Sequence, residues 1–505
     1  MQLIVSAGLI AVVVLWGLVS PASLDRVFST ALADITRNFG WFYLWVVLGL
    51  VVLAFFLAFS RFGDLKLGDE DDEPEFSIGA WFAMLFAAGM GIGLVFWGVA
   101  EPISHYANPP PGVIPGTPDA AGVAMRYAFF HWGLHPWAIY GIVGLSIAFF
   151  SFRRKALPLV SSATEALPWR FVQRLSPAFN VLAVVATAFG VAASLGMGAT
   201  QINSGLHAAF GTNIGRWTQA VIIVVTTVLF ITSAVTGVER GVKWLSMGNL
   251  VLAALLALTV LVVGPTIAIV ETFTNTLGSY LAEFVRMSLR MNPFRNSSWV
   301  ADWTLFYWAW WLAWSPFVGL FIARVSRGRT IRQFILGTVI APTLVGFAWF
   351  SVFGGAALNF EIFQGVPLVE SVKADVSTTM FVMFKAMPMG GLLSIVATLL
   401  VFVFFVTSGD SATLVLGIMS TKGNPNPPAR VKITWGVLVA AIALSLLFAG
   451  GIKAIQTATI VFALPFAFVI LLMALSVTLA IRDDWNAEQK RERELRRKMR
   501  QLVNW

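Results

Sequence analysis

Two groups of aromatic rings stand at spacings that could enclose a cation with no hydrogen to donate. Trp132, Trp137 and Tyr140 fall in FHWGLHPWAIYG, and Trp310, Trp311 and Trp314 in WAWWLAWS. At about 100° per residue along one helix, the first three share an arc of about 140° and the second three one of about 100°. An indole face attracts a fixed positive charge through its ring quadrupole, at about 0.5–2 kcal/mol per ring. A trimethylammonium group offers a carboxylate no hydrogen bond, so rings can hold it without an anion being buried beside it. Tryptophans in apolar sequences commonly belong to interfacial belts, and Trp303, Tyr307 and Trp308 fit that reading. The six named first fall well inside their hydrophobic segments.

Upstream, GMGIGLVFWG at 89–98 is punctured by glycines. Glycine lets a helix loosen, and a loosened segment presents amides to a carboxylate and carbonyls to a cation. The same glycines would also suit close helix packing. They lack the spacing of a dinucleotide fingerprint. In VFVFFVTSGDSATLVLG, Thr407 and Ser408 are adjacent hydroxyls before Gly409, hard oxygen ligands for an alkali cation or groups bonding back to their own helix. Asp410 is costly in lipid, so a partner or a role in gating or coupling is expected of it. Glu101, before Pro102, is expected to cap or gate the outer end of its helix. His135, beside Pro136, reads as packing or a backbone partner.

These residues need a membrane to stand in. Of 505 residues, 58% are hydrophobic and 12% charged, and the mean hydropathy is +0.81, where soluble chains carry roughly a quarter charged residues. About twelve segments are long enough to cross roughly 30 Å of hydrocarbon: 3–20, 41–60, 79–99, 126–151, 179–207, 217–236, 246–270, 303–323, 332–356, 390–419, 432–450 and 455–481. Backbone at such depth must bond internally, which makes the chain an all-α integral membrane protein. The first segment lacks the basic start of a cleaved signal and reads as a retained span.

The net charge of +9 does not imply nucleic acid. Arg153, Arg154 and Lys155, then Arg240 and Lys243, then Arg324, Arg327, Arg329 and Arg332, then Lys422, Arg430 and Lys432 occupy alternate loops. That is the positive-inside pattern, and it puts both termini in the cytoplasm. The acidic GDEDDEPEF at 68–76 falls on the same side, where acids weigh little. With no cysteine there is no disulfide or thiolate site, and neither HExxH nor a Walker loop suggests an enzyme.

Five parts are expected. Residues 1–78 hold two helices and the acidic loop; 79–270 and 303–481 are five-helix repeats; 271–302 form an amphipathic surface helix; 482–505 form a charged cytoplasmic tail. In the surface helix Phe273, Leu277, Leu281, Phe284, Val285 and Leu289 make one stripe. The tail is expected to be a short helix, either a solvated anchor or an element touching anionic lipid through Arg496, Arg497, Lys498 and Arg500. Carriers with inverted repeats interrupt matching helices in both halves, so a break near Gly91 predicts another at Pro316, where a backbone donor is missing. A site at their crossing follows.

The motifs PEFS at 74–77, AAGMGIGL, WGVAEP, WGLHPWAIY, WAWWLAWSPFVGLFIARVSRGRTIRQF and VTSGDSA resemble the betaine/choline/carnitine transporter family over nearly the whole chain. The resemblance implies a leucine-transporter-like fold of two five-helix inverted repeats after two extra helices, a homotrimer, and alternating access in a bacterial plasma membrane. It implies an ammonium held by Trp132, Trp137, Tyr140 and Trp311, flanked by Trp310 and Trp314, with Phe321 on the inner path. The backbone of Ala88, Met90, Gly91, Ile92 and Gly93 would meet the carboxylate. One sodium ion would take carbonyls of Ala87, Met90 and Phe404 and the hydroxyls of Thr407 and Ser408. A second site near Thr187 and Phe317 lacks an oxygen, because Val191 stands where sodium-coupled members place a threonine. Choline carriers place an aspartate at the position of Gly93, so a zwitterion such as glycine betaine and sodium symport are expected, with choline or carnitine transport, including sodium-independent exchange, as the alternative.

Overall fold

The computed structural model describes residues 2–89, 91–164, 166–236, 239–294 and 297–503, with side chains placed except at 86–89, 239–243, 452, 455 and 502–503. Apolar runs leave each backbone group to bond within its own segment, and the chain is helical almost throughout. The helices are α1 (Gln2–Val19), α2 (Pro21–Phe59), α3 (Ile78–Gly89), α4 (Ile92–Ala107), α5 (Pro118–Trp132) and α6 (Leu134–Ala148). Then follow α7 (Arg170–Phe210), α8 (Arg216–Thr236), α9 (Glu239–Val263), α10 (Thr266–Ser288), α11 (Phe306–Arg324) and α12 (Ile331–Phe350). The last are α13 (Ala356–Gln364), α14 (Leu368–Ala374), α15 (Thr379–Lys385), α16 (Gly390–Ser420), α17 (Ala429–Gly450) and α18 (Ile452–Val503). Widened π-helical turns at Phe149–Arg153, Ala301–Leu305 and Ser351–Gly355 adjoin α6, α11 and α12.

Among the described residues eleven helices are long and apolar enough to span a membrane. The twelfth expected span, 79–99, is covered instead by α3 and α4, of 12 and 16 residues, each too short to cross about 30 Å at 1.5 Å per residue. Gly91, with φ −149° and ψ −149°, starts the second piece. Outward faces are apolar, as on α8 and α9 where Trp217, Val228, Trp244 and Val262 are exposed; lipid, not water, suits such a surface. Within, α11 lies along α6, and α16 and α18 along α7.

Other expectations change as well. The break predicted at Pro316 is absent, since α11 runs through it. Proline leaves the carbonyl of residue i−4 without its donor, and here the Ser315 hydroxyl donates to that carbonyl, Leu312 O, at 2.7 Å. Conversely, the fourth span breaks at Gly133 (φ −91°, ψ −132°), between Trp132 and Trp137, so a single-helix arc does not relate those two rings. Phe347 of α12 packs so close that a Cβ on Gly133 would stand 2.9 Å from it. The tail is no separate helix: α18 continues for 52 residues, because nothing from Arg482 onward breaks it. Arg153 binds its Asp484 (2.8 Å) and Glu488, and Arg154 binds Asp484 at 2.5 Å. Arg496, Arg497, Lys498 and Arg500 are exposed.

The amphipathic helix spans Thr266–Ser288, earlier than expected. Phe273, Leu277 and Phe284 of the stripe pack on the core, Leu281 and Val285 are exposed, and Leu289 lies just past the end.

Candidate functional site

The loosened third span meets the aromatic residues. Trp310 and Trp311 stack on one another (centroids 4.7 Å, 13° between planes) on α11. Trp132, at the last position of α5, meets Trp311 edge-on at 4.9 Å and Trp310 at 6.1 Å. Tyr140 of α6 stands 6.2 Å from Trp311, and Trp137 stands 5.7 Å from Tyr140. Edge-to-face contacts suit the ring quadrupole. Each of these five side chains is 5% exposed or less, so the group is shut to solvent in this conformation.

Trp314 does not join them. It turns toward α7, where a Cβ on Gly190 would lie 2.6 Å from its Cδ1, and sits edge-on to Phe317 at 5.3 Å. Phe321 is half-buried in the last turn of α11.

Gly93, in the first turn of α4, is pressed against the rings. A Cβ there would stand 2.7 Å from Trp310 and 3.1 Å from Trp132. The first amides of any helix lack partners within it, and Ile92 and Gly93 hold those positions. A helix start whose first amides have no partner among the described residues therefore borders a wall of aromatic rings. Trp349 of α12 braces it by donating to Leu94 O at 3.0 Å. Of the other residues expected here, Met90 lies outside the described residues, as do the side chains of Ala87 and Ala88 in α3.

The expected cation ligands divide. Ser408 of α16 faces the break, its Oγ 3.8 Å from where a Cβ on Gly91 would be. Thr407 donates back to Val403 O at 2.9 Å and lies 3.3 Å from Phe404 O; such a hydroxyl keeps its lone pairs for a cation. Thr187 is buried on α7 and its hydroxyl has no partner among the described residues. It stands one turn before Gly190 and Val191, on the side where Gly190 meets Trp314. Asp410 is half-buried elsewhere on α16, with Ser233 and Lys432 as polar neighbours.

Glu101 does not cap a helix end. It lies mid-helix in α4, fully buried, and accepts from Trp132 Nε1 at 2.8 Å and Tyr307 Oη at 2.5 Å on one oxygen. Its other oxygen meets His131 Nδ1 at 2.7 Å and His105 Nε2 at 3.2 Å. Tyr307 and Trp308 are fully buried, so they leave the interfacial belt. His135 pairs with Ser288 Oγ at 2.9 Å and stacks on Trp308, a packing role. Sequence reading missed this knot around Glu101. The Glu101–His105 pair, four residues apart on one helix, was its legible signal.

An all-helical membrane frame with one span broken beside a buried aromatic cluster is the arrangement of a membrane carrier. The family described as BCCT, betaine/carnitine/choline family transporter, matches residues 2–486, and the chain belongs to it. It is 48% identical over 486 residues to the glycine betaine transporter OpuD of Bacillus subtilis (strain 168), covering 96% of this chain and 94% of that one. It is 43% identical over 490 residues to the ectoine/hydroxyectoine transporter of Virgibacillus pantothenticus, covering 97% and 98%. To glycine betaine transporter 1 of Vibrio parahaemolyticus serotype O3:K6 (strain RIMD 2210633) it is 42% identical over 497 residues, covering 95% and 93%.

Proposed function

We propose that the protein imports glycine betaine or a similar methylated zwitterion into bacteria by sodium symport and alternating access, protecting the cell against osmotic stress. One observation carries the reading: the amides that open α4, without partners among the described residues, adjoin Trp310 and Trp132 at Gly93. A zwitterion has a carboxylate for the amides and an ammonium for the rings, one at each end. The ammonium lies among Trp132, Trp137, Tyr140, Trp310 and Trp311. Trp314 serves the neighbouring contact with α7 and Phe321 the path inward. Sodium rests on Thr407, Ser408 and the carbonyls of Ala87, Met90 and Phe404. The repeat symmetry, the homotrimer and the cytoplasmic termini belong to the same proposal, resting on family resemblance and loop charge.

Gly93 also favours betaine over choline, because it leaves no acid within the rings to satisfy a bare cation. One sodium ion per betaine moves one charge, about 2.3 kcal/mol at 100 mV, enough for a gradient of roughly 50-fold at tenfold per 1.4 kcal/mol, and a second ion would raise it to roughly 2,000-fold. Uptake of labelled betaine by proteoliposomes with and without an inward sodium gradient tests the proposal. Accumulation only with sodium is expected. Undiminished uptake without it overturns symport and leaves exchange. Competition by choline, carnitine and ectoine ranks the solutes, and preference for choline overturns the zwitterion reading.

A further inference from the structure

The aromatic chamber contains no acid, yet a carboxylate stands directly behind its wall. We propose that Glu101 is the positioning and charge-setting residue of this chamber, acting on the ammonium through Trp132 rather than by contact. The inference rests on the chamber being the solute site.

The geometry is specific. Oε2 of Glu101 accepts from both Trp132 Nε1 (2.8 Å) and Tyr307 Oη (2.5 Å). Tyr307 lies nearly parallel to Trp311 (5.7 Å, 24°) and Trp310 (6.2 Å, 29°), while Trp132 stands across it at 69°. One oxygen thus fixes the angle between the two sides of the chamber. Trp311 is tied to the same knot from the other side, since its Nε1 donates to the main-chain carbonyl of His131 at 3.0 Å. His131 holds Oε1 through Nδ1 and meets Thr304 Oγ1 through Nε2 at 3.1 Å.

The chemistry adds charge to position. An indole N–H is only ever a donor, and an O–H···O contact of 2.5 Å is the short spacing of a charge-assisted bond. Oε2 accepts from both the Trp132 indole and the Tyr307 hydroxyl, and in this proposal Glu101 is the ionised carboxylate. Among the described residues its ion-pair partners are His131 and His105, and no lysine or arginine reaches it. A carboxylate bonded to an indole N–H pushes electron density into the ring, whose far face then attracts a cation more strongly. The anion stays clear of the ammonium, so the chamber gains selectivity for positive charge without a competing ligand inside it.

The test compares glycine betaine with tert-butylacetate, its carbon isostere, which keeps the carboxylate and the three methyl groups but lacks the positive charge. Binding of both is measured on the purified full-length protein, wild type and Glu101→Gln, by competition against labelled betaine. Betaine is expected to weaken at least tenfold in Glu101→Gln and the isostere less than threefold, so that the preference for charge collapses. Equal weakening of both means Glu101 is merely structural and overturns the proposal, as does unchanged binding. Should the glutamine variant fail to fold, Tyr307→Phe carries the test by removing one tether from Oε2. It is expected to weaken betaine at least threefold and the isostere less, and equal weakening of both, or no change in either, overturns the proposal. Wild-type protein that binds no betaine defeats the functional reading itself, an outcome distinct from either.

Discussion

The third and eighth spans were expected to be interrupted alike, one by glycines and one by proline, yet only the third is. The difference lies in what stands beside each weak point. Pro316 strips the Leu312 carbonyl of its donor, but Ser315 supplies a hydroxyl at 2.7 Å and the helix closes over the gap. In the third span a methionine and an isoleucine flank Gly91, and neither side chain can donate to a freed carbonyl as a serine hydroxyl does. Under the proposed function the amides that open α4 would meet the solute's carboxylate, and the closed α11 carries the rings beside Gly93. One helix gives backbone and its partner gives side chains, a division suited to a ligand with two unlike ends.

The largest effect should come from the stiff side. Trp311 contacts Trp132, Tyr140, Tyr307 and Trp310, so Trp311→Leu removes a ring and loosens its neighbours. A loss of about 2 kcal/mol or more is expected, which is a Kd for betaine raised by at least about thirtyfold. Calorimetry on the purified variant reads it, with an unchanged melting profile showing that the fold survives. Near-normal affinity would remove the chamber from the site.

Gly93→Asp acts on the loosened side. The new Cβ meets Trp310 at 2.7 Å and Trp132 at 3.1 Å, so the rings must yield, and the carboxylate enters beside them. Betaine, whose own carboxylate is now repelled, should lose about tenfold in affinity, equivalent to 1.4 kcal/mol, and choline should gain relative to it. Competition binding with both solutes measures the ratio. An unmoved ratio would mean that the helix start does not face the carboxylate.

A third experiment addresses the cause of the difference itself. Ser315→Ala should leave the Leu312 carbonyl unpaired at a cost of about 1–3 kcal/mol, lowering the melting temperature. Adding Pro316→Ala restores an N–H donor and should recover most of it. If the single and double variants melt together, the serine hydroxyl is not what closes α11.

Much of this was legible in the residues. Hydropathy located the spans, and the glycines of GMGIG placed the break where α3 gives way to α4. The gathering of Trp132, Trp137, Tyr140, Trp310 and Trp311 was foreseen, though for Trp132 by faulty arithmetic, since its helix ends at Gly133, where Phe347 leaves no room for a Cβ. That contact is long-range and leaves no periodic trace. Glu101 was misplaced for a similar reason. A lone acid before a proline looks like a helix-end residue until His131, Trp132 and Tyr307 arrive from α5 and α11 to surround it. The continuation of α18 was hidden by the abrupt change from apolar to charged residues, which marks the edge of a membrane and not the end of a helix.

The last experiment concerns the ion, and it extends the comparison to α7, which packs against the closed α11. Thr187 holds a buried hydroxyl with no partner among the described residues, and one turn later Val191 turns a buried apolar side chain to its surroundings. Val191→Thr would set a second hydroxyl oxygen beside the first at nearly the same volume. Sodium dependence of betaine uptake in proteoliposomes should then steepen, because the Hill coefficient can rise only with the number of coupled sites. Each added charge carries about 2.3 kcal/mol per 100 mV, so the attainable betaine gradient should grow by up to about 50-fold. Unchanged steepness with intact uptake would show that Thr187 belongs to packing, and that the ion path runs only past Thr407 and Ser408, on the side of the broken span.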